Sequence, residues 1–196
     1  YNPAATGAPV HPISLPDSEK LWGEGFNFHI LSVGTLKAPK DHATLIRAFA
    51  LLPESLSAKL IILGEGQLRG ELEDLIRELG LQDKVHLPGF MIDPSPWFRS
   101  ADLFVLSSGY EGFGNVIVEA LECGVPVVST DCPSGPAEIL DHGRIGKLVP
   151  IRDQESLSRA MTASYFEEHD RRVLMDRAKD FSIERISVQY LDYFLE

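Results

Sequence analysis

Residues 107–136 read SSGYEGFGNVIVEALECGVPVVSTDCPSGP, and in this stretch Gly112, Gly114 and Asn115 lie between two carboxylates, Glu111 and Glu119. A glycine-rich break flanked by acids suits ligand binding better than it suits a continuous element. Gly112 and Gly114 let the chain turn and bare backbone N–H groups, and Asn115 is placed to cap a following helix. A phosphate could meet those amides and the helix's positive end. Glu119, about one turn inside that helix, can accept hydrogen bonds from two adjacent hydroxyls, as on a ribose. Glu111, delivered with Ser107 and Ser108, is placed to meet a different part of the same ligand. A plainer reading stands beside this one: the glycines serve the turn alone and Glu119 faces solvent.

Other chemistry is thinly represented. The six histidines lack zinc-ligand spacing, and no group of side chains is expected to hold a metal. His42, beside Lys40, could lie near the ligand site, but a place at the surface of a helix start is the expectation. Gly64 and Gly66, in GEG, could bring backbone close to a ligand or simply make a tight turn. The sequence GTLKAPKD after the first strand is not a complete dinucleotide fingerprint, and no G-x-S-x-G elbow marks a serine hydrolase.

The elements that must hold these groups alternate along the chain. FHILSVG, KLIILG, VHL, DLFVLSS, VPVVST and IGKLVP read as strands. DHATLIRAFALL, LRGELEDLIRELG, SPWFRSA, NVIVEALECG and the segment from Ser134 to Leu140 read as helices between them. Asp41 is a candidate N-cap and Gly80 a candidate helix stop. From Gln154 onward the chain reads as helical. Six strands alternating with helices favour a parallel sheet covered on both faces, whose following loops collect at one edge, where open α/β sheets bind ligands. Residues 1–25, rich in proline and glycine, read as a linker and lead-in. Trp22 and Trp97 are expected to pack.

Bulk properties agree with a single α/β domain. The chain has 196 residues, 44% of them hydrophobic, enough for a real core. Its formal charge of −11 gives no general attraction for nucleic acid but leaves room for a local anion site. Cys123 and Cys132 form no metal or redox motif, a disulfide scaffold is not expected, and cytoplasmic residence is the expectation. No run suits a bilayer span or a secretory leader. The chain begins YNPAATGAP rather than with methionine, as a fragment or processed product would.

Taken in order, VGTLKAPKDHATLIRAFA, LGEGQLRGELEDLIRELGL, VHLPGF and EGFGNVIVEALECGVPVVSTDCPSGPAEIL resemble the C-terminal, donor-binding domain of retaining GT-B fold glycosyltransferases, the group 1 family. YNP near the start resembles that family's interdomain linker. The resemblance implies a Rossmann-like three-layer sandwich with a six-stranded parallel sheet, one half of a GT-B fold. It divides the chain into a lead-in over 1–25, a nucleotide-sugar-binding domain over 26–180, and a helix over 181–196 that crosses back to a partner domain absent from this chain.

The resemblance also implies roles. Glu119 resembles the glutamate that binds the nucleotide ribose, and Glu111 the one near the transferred sugar and its leaving phosphate. Backbone groups of Gly112, Phe113, Gly114 and Asn115 would hold sugar hydroxyls and phosphate. Lys40 resembles the diphosphate-binding lysine, whose ammonium neutralises the leaving group without a metal ion. Gly89, Phe90 and Met91, with Pro88, follow the third strand, where family members shape the nucleotide-base pocket. Ser134, Gly135 and Glu138 open another helix at the same edge, and PSGP resembles hexosyl- and N-acetylhexosaminyltransferases acting on glycans or lipid-linked saccharides. One position departs: where the family commonly reads VGRL, this chain has Thr35, which cannot form a bidentate charged clamp.

The implied activity is retaining transfer of a hexosyl or N-acetylhexosaminyl group from a nucleotide-sugar, a UDP-sugar first, to a saccharide or lipid-linked hydroxyl. No further cofactor is required, membrane association at the cytoplasmic face would come through the missing domain, and the isolated chain is expected to be inactive. The alternative is a non-catalytic nucleotide- or sugar-binding module with a degraded site.

Overall fold

The computed structural model describes residues 22–183 together with 185 and 187. Most of the lead-in, and residues 184, 186 and 188–196 of the helix expected over 181–196, lie outside the described residues. Trp22, near the end of the lead-in, is already fully buried, stacked on His29 and edge-on to Trp97.

Six strands form one sheet: β1 (Phe28–Val33), β2 (Ala58–Leu63), β3 (Val85–Gly89), β4 (Leu103–Leu106), β5 (Val127–Thr130) and β6 (Lys147–Val149). Every pairing is parallel and the order is β3-β2-β1-β4-β5-β6. The helices are α1 (His42–Ala50), α2 (Arg69–Glu78), α3 (Ser95–Ser100), α4 (Asn115–Glu122), α5 (Pro136–Ile139), α6 (Gln154–Phe166) and α7 (Arg171–Lys179). Asp41 caps α1 as expected, its carboxylate accepting from the Thr44 backbone N–H. Gly80, at φ 68°, stops α2.

A sheet covered on both faces needs strands that are apolar on both faces, and β2 shows how AKLIIL supplies that. Leu60 and Ile62 join one core with Leu45, Ile46 and Phe49 of α1, Leu72 and Leu75 of α2, and Leu157 and Met161 of α6. Ile61 and Leu63 join the opposite core with Phe98 of α3, Ile117, Val118 and Leu121 of α4, and Leu174 of α7. The period of two sends successive side chains to opposite layers, and each fully buried leucine or isoleucine stabilises the fold by about 1.5–3 kcal/mol. Both cysteines are free and buried; burial pushes the Cys123 thiol up to about 11. Among the described residues no helix is long and apolar enough to cross a membrane.

This strand order creates the functional edge. The chain winds outward from β1 to β3, returns to pair β4 against β1, then winds the other way. The loops after β1 and β4 therefore face each other across the switch point, the crevice in which open α/β sheets place ligands.

Candidate functional site

The loop after β1 runs from Gly34 through a 3-10 turn, Ala38–Lys40, to the capped start of α1. The loop after β4 runs from Ser107 to Gly114, where α4 begins. They are stitched together: the Ser107 hydroxyl donates to the Lys40 carbonyl at 2.9 Å and the Gly109 N–H to the Pro39 carbonyl at 2.8 Å. At the centre the Lys40 ammonium donates to Glu111 Oε1 at 2.6 Å, and the buried Ser108 hydroxyl donates to the same oxygen at 2.6 Å. Glu111 is 7% exposed. Thr130, at the end of β5, steadies this pair from behind by donating to the Ser108 carbonyl at 2.6 Å. The two residues expected to do chemistry thus meet, by way of a strand order that spacing does not disclose.

Gly114, at φ 95°, occupies the N-cap position of α4, and no side chain caps that helix. Asn115 is therefore the first helical residue rather than the cap expected for it. The glycine supplies a left-handed backbone that asparagine adopts less easily, and it leaves the first amides of α4 without a side-chain partner. Asn115 and Gly112 are exposed at this edge and Phe113 is half-buried. Glu119 lies within α4, partly buried; desolvation, with Glu122 nearby, holds its carboxyl above the usual carboxylate range.

The remaining expected residues frame the crevice. Thr35 is exposed on the β1 loop. Gly64 packs the loop after β2 against it so tightly that a Cβ there would lie 2.0 Å from the Gly34 carbonyl oxygen. Gly66 meets the Leu36 backbone in the same way. Gly89 ends β3 beside the Glu65 carboxylate, with Phe90 72% exposed and Met91 partly buried beyond it. Ser134 is exposed, and Gly135 lies against the Phe113 carbonyl.

His42 overturns its expectation. It is 4% exposed, packed under the β1 loop, and no hydrogen bond meets its ring nitrogens, although the backbone of Gly34 and Thr35 lies beside them. Burial first, and the Lys40 charge second, lower its pKa to about 4. A polar residue just after an N-cap reads as surface because helix starts usually are; here the loop folds back over it. Among the described residues no cluster of three His, Cys, Asp or Glu side chains could hold a metal ion. The site offers one lysine, two carboxylates, helix-start amides and several hydroxyls, a set suited to a ligand carrying both phosphate and hydroxyl groups.

Comparison with known proteins agrees with that chemistry. The sequence profile of the family described as "Glycosyl transferases group 1" matches residues 21–181. An N-acetylgalactosaminyltransferase of Campylobacter jejuni, named for action on N-acetylgalactosamine-N,N'-diacetylbacillosaminyl-diphospho-undecaprenol, is 39% identical over 170 residues, covering 85% of this chain and 46% of its own. The lipopolysaccharide core biosynthesis glycosyltransferase LpsE of Rhizobium meliloti is 35% identical, covering 83% and 48%. Among solved structures, HepE of Anabaena in complex with UDP and glucose superposes with a TM-score of 0.81 at 26% identity, over 93% of this chain and 53% of that one. The lipopolysaccharide outer core galactosyltransferase WaaB, at TM-score 0.83 and 21% identity over 100% and 54%, shares the fold. The chain spans about half the length of the curated relatives it matches.

Proposed function

The chain belongs to the group 1 glycosyl transferases, and from that premise we propose that it is the donor-binding half of a retaining glycosyltransferase. It would take a hexosyl or N-acetylhexosaminyl group from a nucleotide-sugar, with UDP as the nucleotide, and the complete enzyme would pass it to a hydroxyl of a saccharide or lipid-linked acceptor. The observation that carries this reading is the meeting of Lys40 and Glu111 at the switch point, beside the uncapped start of α4.

In this reading each group has a task. Lys40 and the first amides of α4 neutralise the diphosphate as the bond from sugar to phosphate breaks, in place of a metal ion. Glu111 faces the transferred sugar, with Gly112, Phe113, Gly114 and Asn115 holding its hydroxyls through backbone groups. Glu119 receives the ribose hydroxyls. Gly89, Phe90 and Met91 border the base. Thr35 adds a neutral contact, so the charge on the diphosphate falls chiefly to Lys40. The relatives named for a diphospho-undecaprenol-linked substrate and for lipopolysaccharide core biosynthesis support a lipid-linked or glycan acceptor; in this reading the complete enzyme meets it at the cytoplasmic face of a membrane, through a partner domain.

Efficient transfer needs a cleft that excludes water and orients the acceptor, and a GT-B enzyme forms it between two domains. The chain alone is therefore expected to bind UDP and UDP-sugars yet to turn over slowly or not at all. Calorimetric titration with UDP, UDP-glucose and UDP-N-acetylglucosamine tests the first half, and multiple-turnover assays with saccharide and lipid acceptors test the second. Absence of binding to all three nucleotides overturns the donor-binding reading; transfer at ordinary rates overturns only the division of labour.

A further inference from the structure

Helix α7 lies far along the chain from Glu111, yet it holds both helices that begin at the site. Arg171 donates through Nη2 to the Cys123 carbonyl at the C-terminal end of α4, at 2.9 Å. Arg177 donates through Nε to the Ile139 carbonyl at 2.9 Å and through Nη2 to the Glu138 carbonyl at 2.6 Å, both at the end of α5. Its third arm reaches the Asp180 carboxylate at 2.7 Å. The last carbonyls of a helix lack partners within it, and a cation there also matches the helix dipole. A helix of four residues such as α5 is marginal by itself, so the guanidinium fixes where it sits.

The other end of α5 presses on the donor turn. A Cβ at Gly135 would fall 1.6 Å from the Phe113 carbonyl oxygen, which only glycine at φ 97° tolerates. Ile139 Cδ1 lies 3.7 Å from the place a Cβ on Gly114 would take. A second route reaches the same residue: the Arg177 guanidinium lies 4.8 Å over the Phe181 ring, which meets Phe113 edge-on at 5.6 Å. Phe181 is 5% exposed and the Arg177 side chain 22%, so neither contact is a loose surface encounter.

We propose that Arg177 and Phe181 are positioning residues for the turn Glu111–Asn115: Arg177 anchors α5 behind Phe113 while Phe181 braces the Phe113 ring, so the turn's amides are set before a ligand arrives. The consequence for donor binding rests on the reading given above; the clamp itself does not. Pre-set donors bind without an ordering cost, so loosening the clamp penalises the sugar and phosphate portions of a donor and spares the nucleoside.

Two measurements separate clamp from function. In ligand-free protein, Arg177→Met, which keeps the apolar stem, is expected to speed amide hydrogen exchange about tenfold at Ile117, whose N–H is bonded to the Gly114 carbonyl of the turn, and at Ile139, bonded to the Gly135 carbonyl, leaving β1 and β4 unchanged. Arg177→Lys, which keeps the charge but lacks the rigid fork that meets both carbonyls from separate nitrogens, should fall between and remains informative where the methionine variant folds poorly. Unchanged exchange at these amides in both variants overturns the clamp. In titrations, Arg177→Met and Phe181→Leu should weaken UDP-glucose about tenfold while uridine changes little. Equal weakening of both ligands overturns the positioning role in favour of general support of the domain. Faster exchange with no UDP-glucose binding, even by the unaltered chain, keeps the clamp and overturns the donor reading.

Discussion

Lys40 Nζ stands 2.6 Å from Glu111 Oε1, a contact between residues 71 positions apart. The pair balances a carboxylate that is nearly buried, and it also occupies the ammonium proposed to meet a diphosphate. The two partners should therefore respond in opposite directions. Lys40→Ala leaves Glu111 buried with only the Ser108 hydroxyl, costing stability by roughly 1–3 kcal/mol, and it should weaken UDP far more than uridine. It should also flatten the salt dependence of UDP binding, since a long-range attraction is lost. Glu111→Gln removes a negative charge from the phosphate's surroundings and releases the ammonium, so UDP itself should bind more tightly while sugar transfer by the complete enzyme falls. Titrating UDP and uridine at two salt concentrations decides the matter: a shift of the same sign in both variants means that the pair is structural only.

Glu119 sits within α4 without a described cation beside it, and burial raises its pKa. A raised carboxylate pKa means the folded state binds a proton more tightly than the unfolded chain. Stability then declines as pH rises from the ordinary carboxylate value through the folded one. Glu119→Gln should thus be at least as stable as the unaltered protein at pH 7. Its nucleotide affinity should nonetheless fall by about 1–3 kcal/mol, for uridine as well as UDP, because the ribose is common to both. Urea unfolding beside calorimetry reads both signs; unaltered affinity would leave the ribose assignment without support.

Much of this was legible in the chain. Strands such as KLIILG, apolar on both faces and bounded by turn residues, could only be buried in a parallel sheet, and Asp41 announces its helix by type and place. The glycine-bracketed turn after DLFVLSS marks the crevice. The contacts that make the site work were harder to read. Lys40 meets Glu111 because β4 returns to pair with β1, a fact about strand order and not about either motif. Arg177 caps carbonyls 38 and 39 residues away, and capping across elements leaves no period. Asn115 lost the cap position to Gly114 because the turn requires a left-handed backbone there. His42 reads as a surface residue for a local reason, since nothing in its neighbours tells that a loop covers it.

Thr35 stands exposed on the loop after β1 that also carries Lys40. A guanidinium there could grip two phosphate oxygens at once, which a hydroxyl cannot. Thr35→Arg should tighten UDP severalfold, about 1 kcal/mol or more, and leave uridine unaffected. The gain should shrink at high salt. A variant that binds UDP no better, while folding normally, means the loop's backbone directs position 35 away from the ligand.

His42 makes the last expectation, one about acid. Its pKa is about 4 in the folded protein against an ordinary value of 6.5, lowered by burial and by Lys40. Between those values the unfolded chain binds a proton that the folded chain refuses, so stability rises with pH across that window and is lost as pH falls through it. A gap of this size corresponds to about 3 kcal/mol when fully expressed. His29 and His86 are also shifted downward, chiefly by burial, and contribute to the same acid limb. The histidine's share is therefore read as a difference: His42→Leu, similar in bulk and unable to titrate, should flatten the fall in urea midpoint between pH 6.5 and pH 4 relative to the unaltered protein. At pH 7 no hydrogen bond to the ring is lost, because none is made, so the two proteins should differ little there. Parallel stability curves down to pH 4 would show that the ring gains a proton without leaving the fold, and that the loop over it opens at little cost.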